Sequence, residues 1–306
     1  TKYLRSYFEI MFFDNLKKLI IQFIEFLIII LDSFTLFVPS YEKSFYDVCI
    51  VKVDALGDFF VSLDFFYNLS LKNKDKRKIL ICNKIFYELA KDIGHFDEVY
   101  PIELKKFRTN YVYRFFQLRK LKSINVKISI QTNFSRNILL GDSIIRAVDS
   151  PIKKGHYGDY NNQTFLSKII SNSWYSNLFK FNYDLIHETE ANIKFMNYLG
   201  ITEIKKYEIK KLALLNNINN YLKNNYIVIS PGAADHSRAW PVEKFICLIQ
   251  DILSKHDWNI ILCGSKYDKK ITNIIMQNFD SKKLLDFTGK LTIQEFVEVI
   301  RIRNLF

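Results

Sequence analysis

The stretch SPGAADHSRAWP, Ser230 to Pro241, joins a strand-like run at 226–229 to an amphipathic segment, and its residue types suit an anion. Small residues let backbone N–H groups approach a phosphate, a following helix turns its positive end toward the same place, and Arg238 adds a formal charge. Ser230, Gly232, Ala233 and Ala234 are the expected backbone donors, and Pro241 stands where a helix accepts proline in its first turn. A second turn of this kind holds Gly57 and Asp58 within VCIVKVDALGDFFVSLDFFYNL (48–69), again between a strand-like run and apolar residues at helical spacing. Spacing alone says that a diphosphate ligand fits. It leaves Asp58 open between a chemical role at a strand tip, where open α/β sheets place ligands, and a helix N-terminal cap.

Two such turns need strands and helices to hold them. Apolar runs at 48–53, 79–82, 98–102 and 126–130 alternate with helical stretches at 59–71 and 111–121, which predicts a parallel sheet. A helical stretch follows at 139–148, then PIKKGHYG (151–158) and polar residues 161–173, expected as a loop reaching into a cleft. A helix at 186–198 closes at Gly200. The Asn-rich residues 216–225 mark the expected interdomain connection. Beyond it the scheme repeats in shorter form: strands at 226–230, 258–263 and 284–287, helices at 242–253, 269–278 and 293–300. The expected organisation is an apolar helical segment at 1–45, a Rossmann-like domain at 46–215 and a second one at 216–306, the two facing each other across a cleft.

The chain has 306 residues, 49% of them hydrophobic and 25% charged, an ordinary globular balance that excludes disordered and collagen-like classes. A net charge of +12 invites a nucleic-acid reading, but the basic residues are distributed and carry no zinc-finger or RNA-recognition signature. The densest run, KNKDKRK (72–78), reads as a solvated turn or as attraction toward an anionic partner. Cys49, Cys82, Cys247 and Cys263 are scattered singly and are expected as buried, reduced thiols. Neither they nor the carboxylates show metal-ligand spacing, so no metal is expected.

Residues 19–31, LIIQFIEFLIIIL, are almost continuously apolar and follow Lys17 and Lys18. They are short for a membrane span and lack a signal-peptide cleavage site. Three placements stand in descending order: a helix lying on a bilayer, a packed or oligomer-forming helix, and a span.

The motifs IVKVDALGDFFVSL, ISPGAADHSRAWPVEKFICLIQDI, IILCGSKYD and LLDFTGKLTIQEFVEVI, in this order and spacing, make the chain resemble glycosyltransferase family 9, the ADP-heptose:lipopolysaccharide heptosyltransferases of Gram-negative bacteria. SIQTNFSRNILL (129–140) and LIHETEANIKFMNYLG (185–200) fit more loosely. The resemblance spans roughly residues 46–306. It implies a GT-B architecture and inverting transfer of heptose from ADP-heptose to the lipopolysaccharide inner core, without a metal or other cofactor. It also implies a cytoplasmic enzyme, peripheral on the cytoplasmic face of the inner membrane.

On this resemblance Asp58 falls on the catalytic aspartate. Arg238 takes a position where the family usually has lysine for the donor phosphates, and Thr288 with Gly289 forms a further turn toward the nucleotide. Gly57, Asn133, Arg136 and His187 are the acceptor-side candidates. Asp54 is a supporting carboxylate or a turn acid, His236 lies in the phosphate loop, and Trp240 is expected as a core anchor beneath that loop rather than a stacking platform. Asp64 stands where the family commonly has proline. The family continues with a strand and an acidic, glycine- and histidine-containing turn that would follow RNLF; with Thr1 at the start, the expectation is a fragment with an incomplete donor site. Two other readings remain: a related transferase using another nucleotide sugar for a surface glycan, and a catalytically silent, membrane-associated protein.

Overall fold

The computed structural model describes residues 2–39, 41–181, 186–209, 222, 225–233 and 236–302. The chain divides into two compact units, Thr1–Glu208 and Ile209–Phe306. Most of the expected connection at 216–225 lies outside the described residues, as do Ala234 and the terminal 303–306.

The first unit opens with helix α1 (Lys2–Phe37) and continues β1 (Ser44–Lys52), α2 (Leu56–Val61), α3 (Leu63–Lys72), β2 (Lys78–Asn83), α4 (Tyr87–Ile93), β3 (Glu98–Ile102), α5 (Leu104–Thr109), α6 (Tyr111–Lys122) and β4 (Ile124–Gln131). It then runs through α7 (Ser143–Ala147), β5 (Ile152–His156), α8 (Phe165–Asn172), β6 (Asn177–Phe179) and α9 (Glu188–Tyr198). Its six strands form one sheet in the order β3-β2-β1-β4-β5-β6, parallel throughout. Every residue from Val48 to Lys52 is buried, as expected of a central parallel strand covered on both faces.

Several elements depart from the sequence expectation. The predicted helix at 59–71 is two helices, broken at Ser62, whose φ −93° and ψ 4° leave the helical region. Asp64, in the first turn of α3, accepts a hydrogen bond from Tyr207 N at 2.7 Å and so ties the end of the unit to this helix. Most of the stretch 161–173, expected as a loop, is α8, and PIKKGHYG before it supplies β5. Polar IKKGH becomes a strand because β4 and β6 flank it and supply its ladder, a non-local gain that local pattern does not register. The helical stretch at 139–148 begins as a wide π turn, Ile138–Asp142, before becoming α7. In the 72–78 run two lysines do structural work: Lys72 Nζ donates to the carbonyls of Leu199 and Gly200 at 2.9 and 2.7 Å, and buried Lys78 donates to Asn73 O and Lys76 O.

The second unit comprises β7 (Tyr226–Ile229), α10 (Val242–Lys255), β8 (Asn259–Leu262), α11 (Lys269–Gln277), β9 (Leu284–Asp286) and α12 (Ile293–Ile302). Its parallel sheet has the order β7-β8-β9. Ile229, Ile260 and Leu262 pack with Ile249 of α10 and Ile275 of α11 on one face, and Ile261 and Cys263 with Val299 of α12 on the other. Cys49, Cys82 and Cys263 are buried free thiols, whereas Cys247 is exposed. The apolar stripe of α10 runs through Phe245, Ile246, Ile249 and Leu253, and Cys247 lies off it.

The C-terminal half of α1 is clamped to the first unit. Asp32, 1% exposed, receives a two-pronged contact from buried Arg114, Nε to Oδ1 at 2.8 Å and Nη2 to Oδ2 at 2.5 Å. Arg114 also donates to Leu139 O and Ser143 Oγ, so the guanidinium is satisfied as a buried ion must be. At the end of α1, Lys122 Nζ donates to the carbonyls of Leu36 and Val38 and Arg119 to that of Pro39, covering the carbonyl end of the helix with cations. Replacing Asp32 by alanine strands a buried guanidinium, and a loss of about 3–5 kcal/mol is expected. Urea unfolding checks this, and Asp32→Leu combined with Arg114→Met is expected to recover most of the loss.

Candidate functional site

In the first unit the chain builds β1, β2 and β3 in one direction and then returns to add β4, β5 and β6 on the other side of β1. The order therefore reverses between β1 and β4, and the carboxyl ends of strands at such a reversal are where open α/β sheets bind ligands. The residues that end these strands meet there. Lys52, last in β1 and 1% exposed, pairs through Nζ with Asp54 Oδ2 at 2.7 Å. Asn133, two residues past β4, donates Nδ2–H to the same Asp54 oxygen at 2.8 Å and accepts Val53 N–H at 3.4 Å. From the other side Asn83, the last residue of β2, donates to Asp54 O at 2.9 Å. Asp54 Oδ1 is buried with no hydrogen-bond partner.

Asp58 follows in the first turn of α2. Its Oδ2 accepts the Ala55 N–H at 3.3 Å, so the capping role is real, and the carboxylate remains half-buried. Gly57 is exposed, and a Cβ built there would meet nothing within 4 Å. The chain's own packing therefore does not demand glycine at this point, and the bare backbone leaves room beside Asp58. Phe59 anchors the turn below, stacked on Phe86 at 4.4 Å. At the N-terminus of α9, exposed His187 accepts the Thr189 N–H on Nδ1 at 3.3 Å, and Glu188 is half-buried.

Electrostatics bind these groups into one cluster. Burial pushes the Asp54 carboxyl up to about 6; Lys52 opposes the rise, and the charges of Asp58 and Glu188 add to it. Glu188 is raised by burial as well, drawn down by Lys52 and pushed up by Asp58. A buried ammonium thus sits among three carboxylates at the strand-order reversal. Among the described residues no grouping of His, Cys, Asp or Glu could hold a metal ion.

Two acceptor-side expectations change. Arg136 is 1% exposed and turns inward, with Nη1 at 3.6 Å from buried Asp142 and its guanidinium 4.8 Å over the Tyr175 ring. It is a core cation, because β5 and α8 close over the segment expected to be open. Asn133 has both ends of its amide engaged by the protein, which makes it the brace of Asp54. Two partners went unnoticed in the sequence, Asn83 and His156. His156 is buried against Phe195 at 4.0 Å, and burial with the nearby Lys52 and Arg136 charges lowers its pKa to about 3, keeping it neutral. The only sequence signal for either residue was its place at a strand's carboxyl end.

In the second unit the phosphate-loop candidates leave β7. Ser230 and Gly232 are exposed, Ala233 is half-buried, and a 3-10 turn, His236–Arg238, leads to Pro241, which caps α10 with φ −57° and ψ 139°. Arg238 is exposed. Gly232 is demanded by packing: a Cβ there would lie 2.1 Å from Asp268 Oδ1. Asp268 is held by Ser265 N and Oγ at 2.7 and 2.8 Å. Gly289 takes φ +68° and donates its N–H to Gly264 O at 2.8 Å, tying the β9 turn to the β8 turn. Buried Thr288 has its N–H on Asp286 Oδ1 and its Oγ1 without a partner. Trp240 is 47% exposed, edge-on to Phe245 at 4.9 Å, so it lies on the rim of the loop and not beneath it as expected.

A profile described as glycosyltransferase family 9 (heptosyltransferase) matches residues 140–306, which include this loop and begin after Asp58. Among solved structures the chain is similar to a glycosyl transferase family 9 protein from Veillonella parvula, with TM-score 0.66, 14% identity, and coverage of 87% of this chain and 76% of that one. It is similar to E. coli heptosyltransferase WaaC with ADP, at TM-score 0.66, 14% identity and coverage of 85% and 80%. E. coli ADP-heptose lps heptosyltransferase II gives 0.60, 13%, and 84% and 77%. No curated protein matches. At these identities the likeness is one of fold, the GT-B class expected from the sequence.

The clustered charges make Asp54 report on its neighbours. Its folded pKa lies above the ordinary carboxylate value near 3.9, so its contribution to stability is present below about pH 4 and is lost as pH rises through about 6. Carbon-13 NMR is expected to show one aspartate titrating near 6. Lys52→Met moves that midpoint up, Asp58→Asn moves it down, and a midpoint indifferent to both would refute the cluster.

Proposed function

The chain belongs to glycosyltransferase family 9, and from that premise we propose that it is an inverting transferase moving heptose from ADP-heptose to a sugar of the lipopolysaccharide inner core. The observation that carries the reading is the placing of Asp58 and the Lys52–Asp54–Asn133 clasp where the strand order reverses. Membership of a heptosyltransferase family supports the sugar class, and similarity to a structure solved with ADP supports the nucleotide.

In this reading Asp58 takes the proton of the acceptor hydroxyl as that oxygen forms its bond to the anomeric carbon. The bond from that carbon to the diphosphate breaks, and ADP leaves with the electron pair. Lys52 draws the Asp54 carboxyl down against the rise that burial imposes, and the two, braced by Asn133, support the turn that carries Asp58. Gly57 gives the acceptor access and His187 stands at the α9 end of the same cluster. In the second unit the N–H groups from Ser230 to Ala233, the start of α10 and Arg238 hold the diphosphate and stabilise the charge it gains. Thr288 and Gly289 reach the nucleotide from the β9 turn. No metal is required in this scheme, because Arg238 and the backbone dipoles carry its charge. In this reading the acceptor is lipid-anchored and the enzyme works peripherally, at the cytoplasmic face of the inner membrane.

Calorimetric titration with ADP, UDP and GDP tests the donor, and ADP-selective binding is expected. Selectivity for UDP or GDP would favour another nucleotide sugar, and the binding of none would mark a silent protein. Arg238→Ala is expected to weaken ADP binding about 10–100-fold, the worth of a charged hydrogen bond. With ADP-heptose and an inner-core acceptor, Asp58→Asn is expected to lower kcat by about 10²–10⁴-fold while ADP affinity stays unchanged. A variant retaining full turnover would remove Asp58 from the base role.

A further inference from the structure

From residue 19 to residue 31 of α1, nine apolar side chains are exposed, and only Ile28 and Ile29 turn inward. Such a large exposed apolar surface on a helix marks a site of interaction with a protein or a membrane. It does not end with α1. On α8, Phe165 and Leu166 are each 65% exposed and Ile169 is 53% exposed. Phe23 and Phe26 of α1 and Leu166 and Ile170 of α8 line one groove of about 640 Å³. The two helices are fixed to each other below it, where Ile29 packs with Ile138, Leu139 and Ile170, and Ser167 Oγ donates to Glu25 Oε2 at 3.3 Å.

Residues Leu19–Phe37 have the length and apolarity of a membrane span. Asp32 lies within that window, locked to Arg114 of the folded body. A crossing helix would have to carry this ion pair and its hydrogen-bonding neighbours into hydrocarbon, or break it. The charges near the face suit an anionic layer. Lys105, Lys106 and Arg108 of α5 are exposed, and Arg108 borders a hollow shared with Ile21, Glu25 and Tyr160. The chain as a whole carries +12.

We infer that α1 and α8 form one docking face for an anionic lipid bilayer, with α1 lying along the headgroup plane and Phe165, Leu166 and Ile169 entering the acyl region. The inference rests on the membrane-surface part of the proposed function and is independent of the donor. Basic residues meet the phosphates, the helices bury their apolar sides, and neither crosses.

Flotation of the full chain with vesicles of phosphatidylglycerol and phosphatidylcholine, against phosphatidylcholine alone, tests it. Binding is expected to the anionic vesicles and to be extracted by alkaline carbonate. The double variant Leu166→Ser/Ile169→Ser, on exposed positions that leave the fold and ADP titration intact, is expected to weaken partitioning about tenfold or more. Undiminished binding of that variant would overturn the role of α8 while leaving membrane attachment standing. Resistance to carbonate would overturn the in-plane placement. Absence of binding to any vesicle, with concentration-dependent dimerisation by sedimentation, would overturn the membrane and assign the face to a second copy.

Discussion

The first unit depends on one constraint, the side-by-side pairing of β1 and β4 and what happens where they part. Seven residue pairs, from Ser44↔Ile124 to Val51↔Gln131, hold the strands in register, and the chain then turns away on opposite sides. The backbone groups released there lose their ladder partners. Asn133 and Asn83 meet that need: Asn133 takes the Val53 N–H and braces the Asp54 carboxylate, Asn83 donates to the Asp54 carbonyl, and Lys52 supplies the charge that makes a buried acid tolerable. The clasp fixes the next four residues, and with them Asp58. A structural device at the end of two strands thereby becomes the support of a chemical group.

Buried ions recur in this unit for a common reason. Arg114, Arg136, Lys52 and Lys168 are all nearly inaccessible, and each is held by carboxylates, carbonyls or aromatic faces. Removing one member of such a set costs more than the set contributes, because the remaining charge stays in a medium that solvates it poorly. The Asp32–Arg114 pair uses this asymmetry to hold α1, a helix whose exposed side would otherwise favour any apolar surroundings over the body of the protein. The second unit uses close backbone approach instead. Asp268 fills the space beside Gly232 and Gly264, and Gly289 closes on Gly264, so its three strand-end turns are mutually braced, with no buried cation among the described residues.

The two glycine turns, most strands and the helices of the second unit were legible in the sequence, since each is encoded locally: a glycine at a strand end, an apolar run, a helical stripe. The order of chemistry along the chain was legible for the same reason. Asp58 in a turn after a buried strand and Arg238 before a helix-capping proline are positions that local pattern assigns.

What only the tertiary structure decided is whatever depends on a neighbour distant in sequence. IKKGH is a strand because β4 and β6 lie beside it, and that sheet edge seals Arg136 into the core. Asp54 changes from a turn acid to the centre of a charged cluster only when β4 brings Asn133 to it and α9 brings Glu188. The sequence by itself determined which residues could do chemistry and the elements that carry them. Their burial, and therefore their charge, was settled by long-range packing, since desolvation depends on everything that surrounds a group and not on its neighbours in the chain.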